Sequence, residues 1–197
     1  IPTLDEKNRI SLGEGNTPLI KSREIGRQLG LKNLYFKLET VSPTGSYKDR
    51  FAAFAISHMF MEGKKLCIAT SSGNTGAALS AYCATAKIRC VIAVVDGITQ
   101  AKTQQMLSYG AEIYEIKNFG KDPQVTENTF ELIRKQGESE NACLQISAYK
   151  FSPIGMAGVQ TIAFELEKQL KTIDHIFCPA GGGGLTLSIA HGFDNLL

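Results

Sequence analysis

Two patterns of hydrophobic residues alternate along this chain. Short apolar runs such as residues 90–95 ("CVIAVV") indicate strands buried on both faces, as parallel sheets require. Segments with apolar residues at helical spacing lie between them, and the first of these, residues 48–61, should end at Gly63. Strand and helix patterns in alternation predict an α/β fold with parallel-rich sheets flanked by helices.

The same patterns predict the individual elements. The predicted strands are residues 33–39, 65–70, 90–95, 112–117, 142–147 and 175–180. The predicted helices are residues 48–61, 77–86, 99–110, 123–136, 158–170 and 185–197. In the first strand, alternation predicts one buried face made by Leu34, Phe36 and Leu38.

Composition narrows the class of protein. Hydrophobic residues make up 43% and charged residues 20% of the 197 residues, as in ordinary globular proteins. The near balance of 21 Lys and Arg against 19 Asp and Glu, and the lack of a long apolar run, predict neither a nucleic-acid nor a membrane partner. Five scattered cysteines and no signal-peptide pattern favour reduced thiols, no metal site and a cytoplasmic location. Because the first residue is isoleucine, we expect the chain to be incomplete.

Three loops that open helices carry unusual residues, and ligands of parallel sheets bind in such loops. The first loop, residues 42–47 ("SPTGSY"), places Lys48 at a helix start, where the helix dipole disfavours an ammonium group. An ordinary solvated lysine is the simple interpretation. An amine whose charged form is disfavoured is also the nucleophile that Schiff-base chemistry requires.

The second loop, residues 71–76 ("SSGNTG"), brings hydroxyls, an amide and backbone N–H groups to a helix start, as carboxylate or phosphate binding requires. The third loop, residues 181–184 ("GGGG"), joins a predicted strand directly to a helix. Either loop alone could be a tight turn or a flexible linker. Glycines in that position also let the backbone N–H groups approach an anion.

An activated lysine, a polar anion loop and a phosphate-binding loop together favour a phosphorylated carbonyl cofactor, and pyridoxal 5'-phosphate fits this description. At these positions the chain resembles the fold-type II pyridoxal-phosphate enzymes, most of all the threonine synthases. Four motifs occur in the family's order over nearly the whole chain: residues 12–19 ("LGEGNTPL"), 42–50 ("SPTGSYKDR"), 71–76 ("SSGNTG") and 179–185 ("PAGGGGL"). The pattern Gly158-x-x-Thr161-x-Ala163-x-Glu165 resembles threonine synthases as well.

The resemblance implies roles for the loop residues. Lys48 would be the catalytic lysine that forms the Schiff base with the cofactor, and Asn74 would bond the cofactor's 3'-oxygen. The cofactor's phosphate would be held by Gly181, Gly182, Gly183, Gly184 and Leu185. The substrate's carboxylate would be bound by Ser71, Ser72 and Thr75.

The resemblance also implies an architecture and a reaction. Residues 51–146 would form a small domain, and residues 1–50 and 147–197 a large domain whose C-terminal portion is absent from this chain. The expected reaction converts O-phospho-L-homoserine and water to L-threonine and phosphate, in a homodimer that takes a small amino-acid substrate. Phe51 stands where threonine synthases usually have glycine, which leaves β-replacement on a serine ester, as in cysteine or cysteate synthases, as an alternative. A catalytically inactive pyridoxal-phosphate-binding module is the other alternative.

Overall fold

A four-stranded parallel sheet lies at the centre of the computed structural model, which describes residues 4–196. Its strand order is β5-β4-β3-β6. The strands are β3 (Leu66–Thr70), β4 (Arg89–Val95), β5 (Glu112–Ile116) and β6 (Ala142–Gln145). Because β3 pairs with β4 on one side and β6 on the other, the chain moves outward from β3 and then returns to its opposite side. The predicted α/β fold with a parallel sheet is confirmed.

Helices cover both faces of this sheet. The helices are α1 (Glu24–Gln28), α2 (Lys48–Met61), α3 (Asn74–Ala86), α4 (Gln100–Ser108), α5 (Pro123–Gly137), α6 (Pro153–Val159), α7 (Thr161–Gln169) and α8 (Gly184–Asp194). The larger apolar core lies between the sheet and helices α2, α3 and α6, and includes Phe51, Tyr82 and Met156. A smaller core on the opposite face packs Ile133 of α5 against Ile68 and Ala93. The continuous apolar runs of β3 and β4 are explained by burial on both faces.

Helix α2 has the predicted bounds. The turn before it is closed by a hydrogen bond from Gly45 N–H to Ser42 O, 2.8 Å long, and Gly45 has a φ of 89° that favours glycine. The helix ends at Met61, and Gly63 just beyond it has a φ of 71°, the left-handed conformation common after helices. The first turn of α2 is therefore anchored by the loop that precedes it.

The first predicted strand is shorter than expected and faces the other way. β2 (Tyr35–Lys37) pairs antiparallel with β1 (Leu19–Lys21), apart from the parallel sheet. Phe36 is 40% exposed, whereas the Lys37 side chain is only 11% exposed because Glu165 pairs with its ammonium at 2.6 Å. Hydropathy alone predicted the wrong face, since an ion pair decides which side chains are covered.

Two C-terminal predictions need correction. Residues 175–180 form no strand, because no strand among residues 4–196 pairs with them, and Phe177 is 87% exposed. The helix predicted at residues 158–170 is two helices, α6 and α7, and begins earlier, at Pro153. Proline is favoured in the first turn of a helix, so this start was readable from the sequence.

The domain division stays a prediction. The whole four-stranded sheet lies within residues 51–146, the stretch predicted to form a small domain. Helix α2, however, packs extensively against α6 from the predicted large domain, and Phe51 contributes to that contact.

Candidate functional site

Lys48 reaches from the first turn of α2 to the loop that follows β6. Its Nζ donates a hydrogen bond of 2.8 Å to the hydroxyl of Ser147, and it lies 4.6 Å from the ring centroid of Tyr47. The Ser147 hydroxyl is also 2.8 Å from the hydroxyl of Thr75 at the start of α3, with either oxygen able to donate. A continuous chain of hydrogen bonds therefore joins an amine and two hydroxyls from three separate segments.

The position of this chain follows from the sheet topology. The loop holding Thr75 leaves the carboxyl end of β3, and the loop holding Ser147 leaves the carboxyl end of β6. The chain adds β4 and β5 on one side of β3 and then adds β6 on its other side. The order of strands therefore reverses between the neighbours β3 and β6. Parallel α/β sheets bind ligands at that point, in the crevice beyond the strand ends.

The loop of residues 71–76 uses its polar groups in different ways. The Ser71 hydroxyl accepts hydrogen bonds from Gly73 N–H at 3.2 Å and Gly76 N–H at 3.1 Å, so it stabilises the loop itself. Ser72 is exposed, and Thr75 is buried with its hydroxyl directed at Ser147. The structure thus brings Thr75 to Lys48 but gives the three proposed carboxylate-binding residues no common contact.

Asn74 is the first residue of α3, and the residue before it, Gly73, has no side chain with which to cap the helix. Its Oδ1 accepts a hydrogen bond of 2.7 Å from the ammonium of Lys102, on α4. No local pattern in the sequence distinguishes Lys102, because a lysine in an amphipathic helix is usually only a solvated side chain.

The glycine loop approaches the same place. A Cβ atom built on Gly184, the first residue of α8, would lie 3.7 Å from the carbonyl oxygen of Ser147 and 3.0 Å from Met156 Cε. A Cβ atom built on Gly181, Gly182 or Gly183 would meet no atom within 4 Å. No side chain caps the α8 N-terminus, and Leu185 packs against the larger core. The loop therefore offers open space beside uncapped backbone N–H groups, which suits an anion.

These residues fit pyridoxal phosphate by the chemistry of their donors. The amine of Lys48 can bond an aldehyde, and the uncapped start of α8 suits a phosphate. Ser147 connects the two, since its hydroxyl bonds Lys48 and its carbonyl lies beside Gly184. We call Lys48, Thr75, Ser147 and the loops of residues 71–76 and 181–184 the Lys48 site.

Ser147 was missed as a site residue by sequence reasoning. Its place depends on β6 lying beside β3, and the order of strands in a sheet is not contained in a local pattern. The one available signal was its position as the last residue of a predicted strand.

Other motif residues form a second group, the Arg50 cluster, which comprises Arg50, Glu39, Glu165, Lys37, Thr17 and Thr161. The Arg50 side chain, 2% exposed, donates to both oxygens of Glu39 at 2.8 Å and to Glu165 at 2.6 and 2.9 Å. It also donates to the hydroxyls of Thr161 at 2.8 Å and Thr17 at 3.2 Å. Three of the sequence motifs thus meet in a buried ion network that holds segments of the chain together.

Glu165 is the anionic centre of this cluster. Burial alone would raise its pKa, but hydrogen bonds from Arg50, Lys37 and Asn16 N–H outweigh burial and lower the pKa to about 2. The Glu14 carboxylate anchors the same N-terminal segment to α3 by accepting a 2.6 Å hydrogen bond from Tyr82. The motif of residues 12–19 therefore acts, as far as its contacts show, as a structural anchor.

Phe51 belongs to the core between α2 and α6. Its side chain is fully buried and packs on α6, where a Cβ on Gly155 would come within 2.5 Å of the Phe51 ring. Its bulk is therefore accommodated by a glycine on the neighbouring helix.

Three cysteines come together that are far apart in the sequence. The thiols of Cys67, Cys83 and Cys90 lie within 4.8 Å of one another, on β3, α3 and β4. Cys67 and Cys90 are register partners on neighbouring strands, which sequence spacing could not reveal. All three are buried in the larger apolar core, where thiols pack as small apolar side chains.

An α/β fold with an amine and an uncapped helix start beyond the carboxyl ends of a parallel sheet has the features of the class of enzymes that bind a phosphorylated carbonyl cofactor. Comparison with known proteins agrees. The family described as "Pyridoxal-phosphate dependent enzyme" matches residues 10–197, and the chain belongs to that family. Its cofactor is pyridoxal 5'-phosphate.

Individual relatives carry several names. The chain is 36% identical over 196 residues to threonine synthase of Halalkalibacterium halodurans, covering 98% of this chain and 52% of that protein. A pyridoxal 5'-phosphate-dependent aspartate racemase structure matches with a TM-score of 0.80 and 29% identity, covering 99% of this chain and 61% of the other. Serine racemase from Dictyostelium discoideum matches with a TM-score of 0.78 and 29% identity, covering 92% and 57%. The chain thus spans about half the length of the relatives it matches.

In the part of the chain that the structure describes, no helix combines the length and apolar character needed to cross a membrane.

Proposed function

We propose that this chain carries the lysine half of a threonine-synthase-like active site, which converts O-phospho-L-homoserine and water to L-threonine and phosphate. The observation that carries the proposal is the contact of Lys48 Nζ with Ser147 at the strand-order reversal, within a chain 36% identical to a threonine synthase. The reaction breaks the bond between Cγ and the phosphate oxygen, and water supplies the hydroxyl at Cβ. The enzyme class is then a carbon–oxygen lyase.

The proposed roles follow from the donors present. Lys48 Nζ holds the cofactor and moves protons at the substrate's carbons, since it is the amine at the crevice. The hydroxyls of Ser147 and Thr75 keep that amine in place through their 2.8 Å hydrogen bonds. When bound, pyridoxal phosphate supplies the electron sink for carbanion chemistry.

The anionic groups need separate binding positions. The loop of residues 71–76 provides the α3 N-terminus for the substrate's carboxylate, with Ser72 exposed and Thr75 at the inner end. Ser71 would shape that loop, because its hydroxyl already accepts two of the loop's N–H groups. Residues 181–184 with Leu185 would hold the cofactor's phosphate at the α8 N-terminus.

The second candidate is β-replacement on a serine ester, in a cysteine- or cysteate-synthase-like reaction. Phe51 is the sequence observation that favours it. In the structure that side chain is fully buried against Gly155 of α6, so its bulk fills the core and gives little support to the serine-ester reaction. We therefore prefer the threonine-synthase-like reaction.

The test is turnover of the protein expressed from its natural gene and loaded with pyridoxal phosphate. We expect release of phosphate and formation of threonine from O-phospho-L-homoserine. Faster turnover of O-acetylserine or O-phosphoserine with a sulfur nucleophile would favour β-replacement instead. Racemisation of serine or aspartate without phosphate release would also overturn the proposal. Cofactor binding with no turnover of any of these substrates would indicate an inactive binding module.

A further inference from the structure

Helix α4 makes one polar contact with a loop of the Lys48 site and another with the turn that precedes Lys48. The Lys102 ammonium donates to Asn74 Oδ1 at 2.7 Å, at the start of α3. Gln105, one turn later on α4, donates from Nε2 to the carbonyl of Thr44 at 3.3 Å, in the turn before Lys48. The same helix therefore touches the loop that holds Asn74 and the loop that holds Lys48.

The chemistry of this contact fixes the direction of the Asn74 amide. An ammonium group only donates hydrogen bonds, so it can bind the amide oxygen of Asn74 but not the amide nitrogen. The two acceptors of Lys102 in the described residues are both amide oxygens, Asn74 Oδ1 and Gln105 Oε1, the latter at 3.3 Å. With Oδ1 held by Lys102, Nδ2 is the end of the Asn74 amide that remains to contact a ligand.

Packing against α3 fixes the position of α4. Met106 is fully buried, and a Cβ on Gly76 in the first turn of α3 would lie 2.5 Å from its sulfur. The glycine at that position lets α4 approach α3 closely. Lys102 is therefore presented to Asn74 by a packed helix and not by a free loop.

We propose that Lys102 is a positioning residue that orients the Asn74 amide so that Nδ2 donates to the 3'-oxygen of the cofactor. The inference rests on the proposed role of Asn74 toward that oxygen. A 3'-oxygen accepts hydrogen bonds, so the reversed amide would place two lone-pair oxygens against each other. The ammonium also polarises the amide, and hydrogen bonds in such chains strengthen one another.

The experiment compares variants of the cofactor-loaded protein by the visible absorbance of the bound cofactor and its titration midpoint. Lys102→Met removes the donor, and Lys102→Gln keeps one. Lys102→Glu supplies an acceptor that favours the reversed amide. Lys117→Met is the matched control, because Lys117 is an exposed lysine outside these loops. Thermal unfolding of each variant checks that the fold is kept.

We expect Asn74→Ala and Lys102→Met to shift the absorbance in the same direction, with Lys102→Met the smaller shift. Lys102→Glu should shift it at least as far as Asn74→Ala, whereas Lys102→Gln and Lys117→Met should remain near the wild-type spectrum. Loss of one charge-assisted hydrogen bond predicts a fall in kcat/KM of about tenfold for Lys102→Met. The double variant Asn74→Ala/Lys102→Met should have the spectrum of Asn74→Ala alone, because Lys102 acts through the amide.

Three outcomes would overturn the inference. If Asn74→Ala shifts the spectrum but Lys102→Met and Lys102→Glu do not, Lys102 has no positioning role, and the proposed function stands. If Lys102→Met causes a further shift in the Asn74→Ala background, Lys102 acts directly on the cofactor and not through Asn74. If Asn74→Ala itself leaves the spectrum unchanged, the proposed role of Asn74 is wrong and the role of Lys102 falls with it.

Discussion

Lys48 and Arg50 are two residues apart in the first turn of one helix, yet their surroundings have little in common. Every terminal nitrogen of Arg50 meets a carboxylate or hydroxyl in a buried cluster. Lys48 contacts one hydroxyl, beside loops whose glycines border open space. The difference separates two uses of charge: a fully bonded buried ion network stabilises the fold, whereas a sparsely bonded amine in a crevice remains available for a ligand.

Asp49, between them, has a third environment. It is fully buried, and its Oδ2 accepts hydrogen bonds from the N–H and hydroxyl of Thr44 at 3.1 and 3.0 Å. Burial raises its pKa, against the hydrogen bonds from Thr44. Asp49 thus anchors the turn that precedes Lys48.

The largest expected effect on stability comes from a substitution that breaks the Arg50 cluster. Arg50→Met leaves Glu39 and Glu165 without their buried cation, and we expect a loss of about 3–5 kcal/mol in the free energy of unfolding. Lys48→Met removes one partly buried hydrogen bond and should cost about 1 kcal/mol or less. Denaturant unfolding of both variants checks the contrast. Equal losses of unfolding free energy would contradict a structural role for Arg50 that Lys48 does not share.

A second contrast uses glycines. A Cβ on Gly158 would collide with the carbonyl oxygen of Arg50, so Gly158→Ala should destabilise the fold by about 1–3 kcal/mol. A Cβ on Gly182 would meet no atom within 4 Å, so Gly182→Val should leave stability nearly unchanged. It should instead weaken cofactor affinity at least about tenfold by blocking a charge-assisted N–H contact.

Unfolding and cofactor titration of both glycine variants are the measurements. Unchanged affinity in Gly182→Val would mean that the loop is only a connection between segments. A stable Gly158→Ala protein would mean that α2 and α6 are not packed as closely as the structure has them.

The smallest effect is a pH dependence that belongs to the Arg50 cluster. The pKa of Glu165 is lowered from an ordinary 4.5 to about 2 in the folded protein. Its contribution to stability is therefore complete above about pH 4.5 and is lost as pH falls toward about 2, because the unfolded state binds the proton first. Unfolding measured across this range should show a weaker pH dependence in Glu165→Gln than in wild type. An equal pH dependence of unfolding in both proteins would contradict the lowered pKa of Glu165.

The sequence predicted the sheet better than the site. Strands β3, β4, β5 and β6 were predicted because burial of a parallel sheet leaves apolar runs in the sequence. The pairing of β6 with β3, which brings Ser147 to Lys48, depends on the strand order and was not predictable locally. The buried face of β2 was also predicted wrongly, because Lys37 is covered through its ion pair with Glu165. Charge pairing across distant segments has no hydropathy signal.

The motifs were informative for a reason that only the contacts explain. The resemblance rested on motifs that contain Lys48, Arg50, Thr161 and Glu165 together. The structure divides them, since Arg50, Thr161 and Glu165 bond one another and none of them contacts Lys48. Shared motifs therefore identify the family, and they do not by themselves identify the substrate.

The most direct test of the Lys48 site is reduction of the pyridoxal-phosphate-loaded protein with borohydride, followed by proteolysis and peptide mapping. Lys102 provides an internal comparison, because its amine contacts Asn74 in the loop of residues 71–76, which is part of the Lys48 site. The account predicts that the reduced cofactor is found on the peptide containing Lys48, and that Lys48→Ala abolishes the label while the protein remains folded. Label on the Lys102 peptide, or on any other lysine in the wild-type protein, would contradict it.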